Sequence, residues 1–185
     1  MKHTAFVFAW LLAACLVLSG SAWSGGFTLV SPDISGQLSP DQVFAGFGCT
    51  GKNISPRLSW KGEPAGTKSF AVTAYDPDAP TGSGWWHWLI FNIPADVHSL
   101  EAGAGNPAGG LAPPGCVQSR TDFGQPGYGG ACPPAGDKAH RYIFTVYALA
   151  VSKLDLKADA PPAMVGFFLN RNAIAKASLI AYYGR

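Results

Sequence analysis

Apolar and polar residues alternate with a period of two over several short stretches, separated by Gly- and Pro-rich turns, and this is the pattern of a strand-rich fold. Phe27–Val30 and Arg57–Trp60 are short strands of this kind. Ser69–Tyr75 places Phe70, Val72 and Ala74 on one face and Ala71, Thr73 and Tyr75 on the other. His87–Ile93 places His87, Leu89, Phe91 and Ile93 together, opposite Trp88, Ile90 and Asn92. Tyr142–Leu149 is a third long strand. Strands apolar on both faces belong in the middle of a sheet covered on both sides. After Pro161-Pro162, the spacing of Met164, Phe167, Phe168 and Ile174 predicts a helix over Ala163–Ala177, interrupted near Asn170-Arg171-Asn172, and Ser178–Tyr183 a short final strand. Two irregular segments, Ala102–Gly115 and Arg120–Ala139, are long enough to suggest that they serve a site.

The beginning of the chain follows a different rule. Lys2 and His3 precede an apolar run from Ala5 to Leu18, then the small residues Ser19-Gly20-Ser21-Ala22. This is the layout of a secretory signal peptide, and the run falls short of the roughly 20 residues of a membrane span. Residues 1–22 are therefore expected to be a cleaved leader and 23–185 a single domain that is periplasmic or secreted, with no transmembrane segment. Leu12-Ala13-Ala14-Cys15 offers the alternative of a lipid anchor on Cys15.

Composition sharpens this picture. Hydrophobic residues make up 48% and charged residues 13%, which suits a large core and excludes disorder. Without Lys2 the mature chain is nearly neutral, so no basic stripe exists for nucleic acid. Without Cys15, three cysteines remain. In an oxidising compartment two of three are expected to pair. Cys49 and Cys132 both sit in Gly-rich turns, which favours that bridge and leaves Cys116 free, although three cysteines allow three single bridges.

The chemistry concentrates at strand ends. Asp76 follows one strand, His87 begins the next, and His140 precedes Tyr142 on a third, so these polar groups converge at one sheet end walled by Trp85, Trp86, Tyr128 and Pro133. A concave apolar pocket with few polar groups is the usual form of a small-ligand site. Asp76 equally suits an Asx turn before Pro77, Asp78 a turn position, and His98 the surface. Arg141 suits either a phosphate or a bidentate carboxylate partner. No phosphate-cradling glycine loop, nucleophile elbow or metal-ligand spacing is present, so neither metal nor cofactor is expected.

Together these residues resemble the phosphatidylethanolamine-binding protein family, also called Raf kinase inhibitor-like proteins, in its exported bacterial YbhB/YbcL branch. The resemblance runs from about Phe27 to Arg185. It is carried by Gly51-Lys52-Asn53-Ile54-Ser55-Pro56, Asp76-Pro77-Asp78-Ala79-Pro80, Trp86-His87-Trp88, Asn92-Ile93-Pro94, Asp122-Phe123-Gly124, Gly127-Tyr128-Gly129-Gly130, Cys132-Pro133-Pro134 and His140-Arg141-Tyr142. It implies a mainly β, two-sheet sandwich with a large central sheet, Greek-key-type connections and a few peripheral helices. It also implies a cavity for a small anionic ligand or lipid headgroup built from Asp76, Asp78, His87, Gly130, Pro133, His140 and Tyr142, with Trp86 as a wall. The expectation is a non-catalytic binding protein. An interaction or inhibitor module acting on a protein partner through its loops is the alternative, and acid–base catalysis by His87 and His140 is a third reading without an evident nucleophile.

Overall fold

The computed structural model describes residues 26–185; the expected leader and Cys15 lie outside the described residues. Its centre is a five-stranded antiparallel sheet in the order β10-β9-β5-β6-β8, formed by β5 (Ser69–Asp76), β6 (Trp85–Pro94), β8 (Val117–Gln118), β9 (His140–Leu149) and β10 (Ala173–Tyr183). One face packs against a three-stranded sheet of β1 (Thr28–Val30), β4 (Leu58–Lys61) and β7 (Ser99–Leu100). Phe70, Val72, Ala74, Trp88, Ile90 and Phe144 meet Leu29, Leu58, Trp60 and Leu100 there. The other face carries Ala71, Leu89, Phe91 and Leu149 under Val165 and Leu169 of α1 (Pro162–Asn172). Both faces of the central strands are thus covered, as their two-sided apolar sequence requires. A small hairpin of β2 (Ala45–Gly46) and β3 (Cys49–Thr50) stands beside this frame with Phe47 at its tip.

Two expectations are corrected. The helix ends at Asn172, whose Nδ2 donates to the Phe168 carbonyl at 2.8 Å, and the next residue already begins an eleven-residue strand. The segment Ala173–Ala177 has good helix formers, yet it lies in a ladder with β9, pairing Lys176 with Tyr147 and Ala177 with Val146. Tertiary pairing overrides a weak local preference here.

The second correction concerns faces. β6 does not alternate regularly, because it carries two bulges. Phe70 pairs with Ile93 but Val72 with Ile90, so one extra residue is inserted around Asn92, which has φ 61°. Ile93 consequently joins Trp88 and Ile90 rather than Leu89 and Phe91. Likewise Ala74 pairs with Trp88 but Tyr75 with Trp86, so His87 is the inserted residue. Bulges re-aim side chains and are frequent next to binding sites.

Candidate ligand-binding site

The His87 bulge decides which way this end of the sheet faces. Trp86 packs on the α1 side, 4.5 Å from the Tyr75 ring, whereas Trp88 is buried on the opposite side. His87 lies toward that opposite side, its ring 5.2 Å from Tyr142 and 5.3 Å from Phe123 in edge-on contacts. Asp76 at the end of β5 and His140 at the start of β9 complete the cluster. Each of the three is at most 4% exposed.

The hydrogen bonds define the roles. The Asp76 carboxylate accepts from the backbone N–H of Asp78 at 2.8 Å and of Ala79 at 3.0 Å, an Asx turn. Its other oxygen accepts from Nδ1 of His140 at 2.7 Å. Turn-forming and site-building are therefore the same act for Asp76. Asp78 accepts from the Arg141 backbone N–H and Nε, both at 2.9 Å, and from Nη2 at 2.8 Å. That fork holds the Asp78 carboxyl well below the usual carboxylate range, and it means Arg141 braces the turn rather than waiting for a phosphate. His98 stands apart at the surface, bonded to Glu63 at 2.9 Å.

Nδ1 of His87 contacts the Gly129 carbonyl at 2.7 Å, so it carries the proton and leaves Nε2 for a ligand. Burial lowers the pKa of this ring, against the carbonyl bond and the Asp76 charge, which raise it. Below the ordinary value of 6.5 the unfolded histidine takes a proton more readily than the folded one. The neutral ring's contribution is full above that value and is lost as pH falls. We expect the His87→Gln variant to show a flatter decline in urea midpoint than the parent between about pH 7 and 5.

Asp76, Trp85, His87, Phe123, Pro133 and His140 wall a pocket of about 170 Å³, with Phe47 at its mouth. Trp85 lines this pocket and its buried indole N–H has no hydrogen-bond partner, and the Tyr142 hydroxyl is buried and equally unpartnered. Burial with nearby Asp76 pushes the Tyr142 phenol far up, so it stays a neutral donor. Unpartnered buried polar groups are uncommon, and Trp60 and Ser119 hold two more away from this pocket. Cys132, next to Pro133 on the wall, forms a disulfide with Cys49 of the Phe47 hairpin, and Cys116 is free.

Of the expected site residues, Asp76, His87, Pro133 and His140 line the pocket directly. Tyr142 touches the His87 ring edge-on without lining the pocket, and Asp78, held by Arg141, braces the Asp76 turn. Two stand elsewhere. Trp86 is turned to the other side of the sheet by the bulge. The Gly130 N–H already donates to Asn53 Oδ1 at 2.7 Å, and this glycine is needed because a Cβ would come 2.4 Å from the Gln42 carbonyl oxygen. Phe47 and Phe123 are wall residues that alternation alone does not reveal, since both come from loops. Clustered aromatics in Gly-rich loops were the available signal.

Residues 34–184 match the sequence profile of the phosphatidylethanolamine-binding proteins. The chain is 53% identical over 165 residues to the Escherichia coli protein YbcL, covering 88% of this chain and 90% of that protein. It is 52% identical over 159 residues to E. coli YbhB, covering 84% and 98%. Among solved structures, E. coli YbcL superposes with a TM-score of 0.84, covering 86% of this chain and 98% of that one. A phosphatidylethanolamine-binding protein homologue from Chlamydia trachomatis, 28% identical, superposes with a TM-score of 0.70 over 86% and 98% of the two chains.

Proposed function

The chain belongs to the phosphatidylethanolamine-binding protein family, and from that premise we propose that it is an exported binding protein whose Asp76–His87–His140 pocket holds a phosphate-like group, free or as a lipid headgroup. Members of the family are generally non-catalytic, and a binding role follows from membership. The observation that supports the ligand class is His87 on the pocket wall, its Nδ1 engaged by Gly129 and its Nε2 without a hydrogen bond, beside Trp85, whose indole N–H has no partner. The volume supports a small group. About 170 Å³ lies under the roughly 300–1,000 Å³ of pockets that enclose a whole drug-sized molecule. The leader-like pattern of residues 1–22 and the Cys49–Cys132 bridge support a place outside the cytoplasm. Among the described residues no helix is long and apolar enough to cross a membrane.

Neutral His87 presents a lone pair at Nε2, which repels an anion. Binding must therefore bring a proton, on the ring or on the phosphate itself. Affinity for inorganic phosphate is expected to rise as pH falls from about 8 to 6, with uptake of about one proton per site. Calorimetric titration with inorganic phosphate and phosphorylethanolamine, in two buffers of different ionisation enthalpy, reads both quantities. Saturable binding that His87→Gln abolishes supports the reading. Folded parent protein that binds neither compound overturns it and favours the second reading, capture of a protein partner by the loops. That second reading draws on exposed Phe47 and Leu111, 67% and 52% accessible at two loop tips.

A further inference from the structure

The central sheet ends on one side at β10, and that edge is only partly covered. Tyr182 donates its N–H to the Gly36 carbonyl at 3.0 Å, and its own carbonyl accepts from the Leu38 N–H at 3.1 Å. Both backbone groups of Tyr182 therefore face away from β9. Residues 36–38 lie along the edge in parallel orientation there, with Gln37 beside Tyr182. From Ala175 to Tyr183 the strand pairs with β9 residue for residue, and successive residues of a regular strand turn their backbone groups to opposite sides. Lys176, Ser178 and Ile180 thus share the outward orientation of Tyr182. Among the described residues no strand lies beyond them, and none of their backbone groups bonds on that side. Each presents one N–H and one carbonyl outward.

An open edge recruits a further strand, and proteins guard it with charges and bulges. β10 has both, a bulge between Ala173 and Ala175 and Lys176 in the open stretch. The lysine, however, is laid on the face of the sheet. Its ammonium lies 5.1 Å over the Tyr147 ring and donates to the neutral Asn170 amide oxygen. The backbone edge stays uncovered, and the charge stays without a counter-charge. Arg171, in the last turn of α1 just before the strand, is likewise unpaired with any carboxylate among the described residues. From Ala160 to Arg185 the sequence holds two arginines and one lysine, and no aspartate or glutamate.

These charges discriminate between occupants. Two copies of β10 laid side by side bring their Lys176 residues onto neighbouring strands with no acid between them, and like charges across a ladder are destabilising. An extended segment with a carboxylate opposite Lys176 gains an opposite-charge pair instead. An apolar residue further along the same segment would cover Ile180, which is 43% exposed on the same face.

We infer that the outer edge of β10, from Lys176 to Ile180, takes an extended acidic segment of another protein as a sixth, antiparallel strand of the central sheet. Main-chain hydrogen bonds supply the affinity and the side chains opposite Lys176 and Ile180 the selectivity. The bulge at one end and residues 36–38 at the other bound the stretch and set where the segment lies. The phosphate pocket plays no part in it.

The test uses a capped heptapeptide of alternating glutamate and valine, a twin with lysine in place of glutamate, and the acidic peptide N-methylated at its glutamates. In an antiparallel ladder the residue opposite Lys176 exchanges both of its backbone bonds with it, so the glutamate N–H groups are the ones that face β10. Titrated into isotopically labelled protein and followed by NMR, the acidic peptide is expected to shift the amide signals of Lys176, Ser178 and Ile180 saturably and to slow their hydrogen exchange. N-methylation at the glutamates should abolish this. Lys176→Glu should weaken the acidic peptide at least about fivefold and favour the lysine twin, with phosphate binding unchanged as the check on folding. Absence of a saturable shift at these three signals overturns the inference. An affinity that either Lys176→Glu or glutamate N-methylation leaves unchanged overturns it as well. Sedimentation of the protein alone covers the other occupant: a dimer that Ser178→Pro dissolves assigns the edge to a second copy and overturns the acidic partner.

Discussion

Asp76→Ala is expected to lower the free energy of unfolding by about 3 kcal/mol and to abolish phosphate binding, whereas Asp76→Asn loses about 1 kcal/mol. Asp76 is 2% exposed and its carboxylate accepts from Asp78, Ala79 and His140. Alanine leaves those three donors without their carboxylate acceptor, and a stranded buried donor costs about 1–3 kcal/mol. Asparagine retains one oxygen for the two backbone N–H groups, so the turn survives. Its amide, however, now faces Nδ1 of His140 as a donor, and the imidazole must present a lone pair there instead. The pocket then keeps its shape with an altered proton inventory. Urea unfolding with unchanged slope reads the first effect, and calorimetry on the folded variants reads the second. Equal stability of Asp76→Ala and parent would show that the Asx turn and the His140 bond contribute little. The site would then be less tightly built than its geometry implies.

The second large effect is expected from the disulfide. Cys49 and Cys132 are separated by 83 residues, and opening a loop of that size costs roughly 4 kcal/mol through the unfolded chain. The functional loss should be larger than that of a neutral core change of equal cost, because the bridge joins the Phe47 hairpin to the Pro133 wall. It is not alone in doing so. Arg185 donates from its guanidinium to the carbonyls of Pro133 at 2.7 Å, Gly48 at 3.1 Å and Phe47 at 3.3 Å, spanning the same two loops. The double variant Cys49→Ser, Cys132→Ser should therefore fold, bind phosphate several-fold more weakly, and lose binding altogether when Arg185→Ala is added. Because the two ties share their loops, their effects on affinity should be more than additive. Thermal melts with and without reductant, followed by phosphate titration of each variant, give both quantities. Unchanged affinity in the triple variant would show that the mouth is held by the aromatic stacking of Phe44, Phe47 and Phe123 instead.

Much of this architecture is written in local pattern. Period-two alternation marks Ser69–Tyr75 and Tyr142–Leu149 as central strands, since a strand covered on both sides needs apolar residues on both faces whatever its partners are. Asp-Pro-Asp-Ala-Pro marks a turn because proline and aspartate constrain their own backbone. The meeting of Asp76, His87 and His140 was also legible, because each lies at a strand end and antiparallel neighbours bring such ends together. What the sequence could not decide were the features that depend on a partner. Ala173–Ala177 has the residues of a helix and becomes a strand because β9 offers an unpaired edge. His87 and Trp86 exchange the faces that strict alternation assigns them, because the bulge at His87 arises only when β6 is registered against β5. The Gly130 N–H, available on paper, is engaged by Asn53 from 77 residues away. Local propensity and periodicity are properties of a few successive residues. Register, bulges and the satisfaction of buried polar groups are set between segments far apart in the chain, and there tertiary structure alone decides.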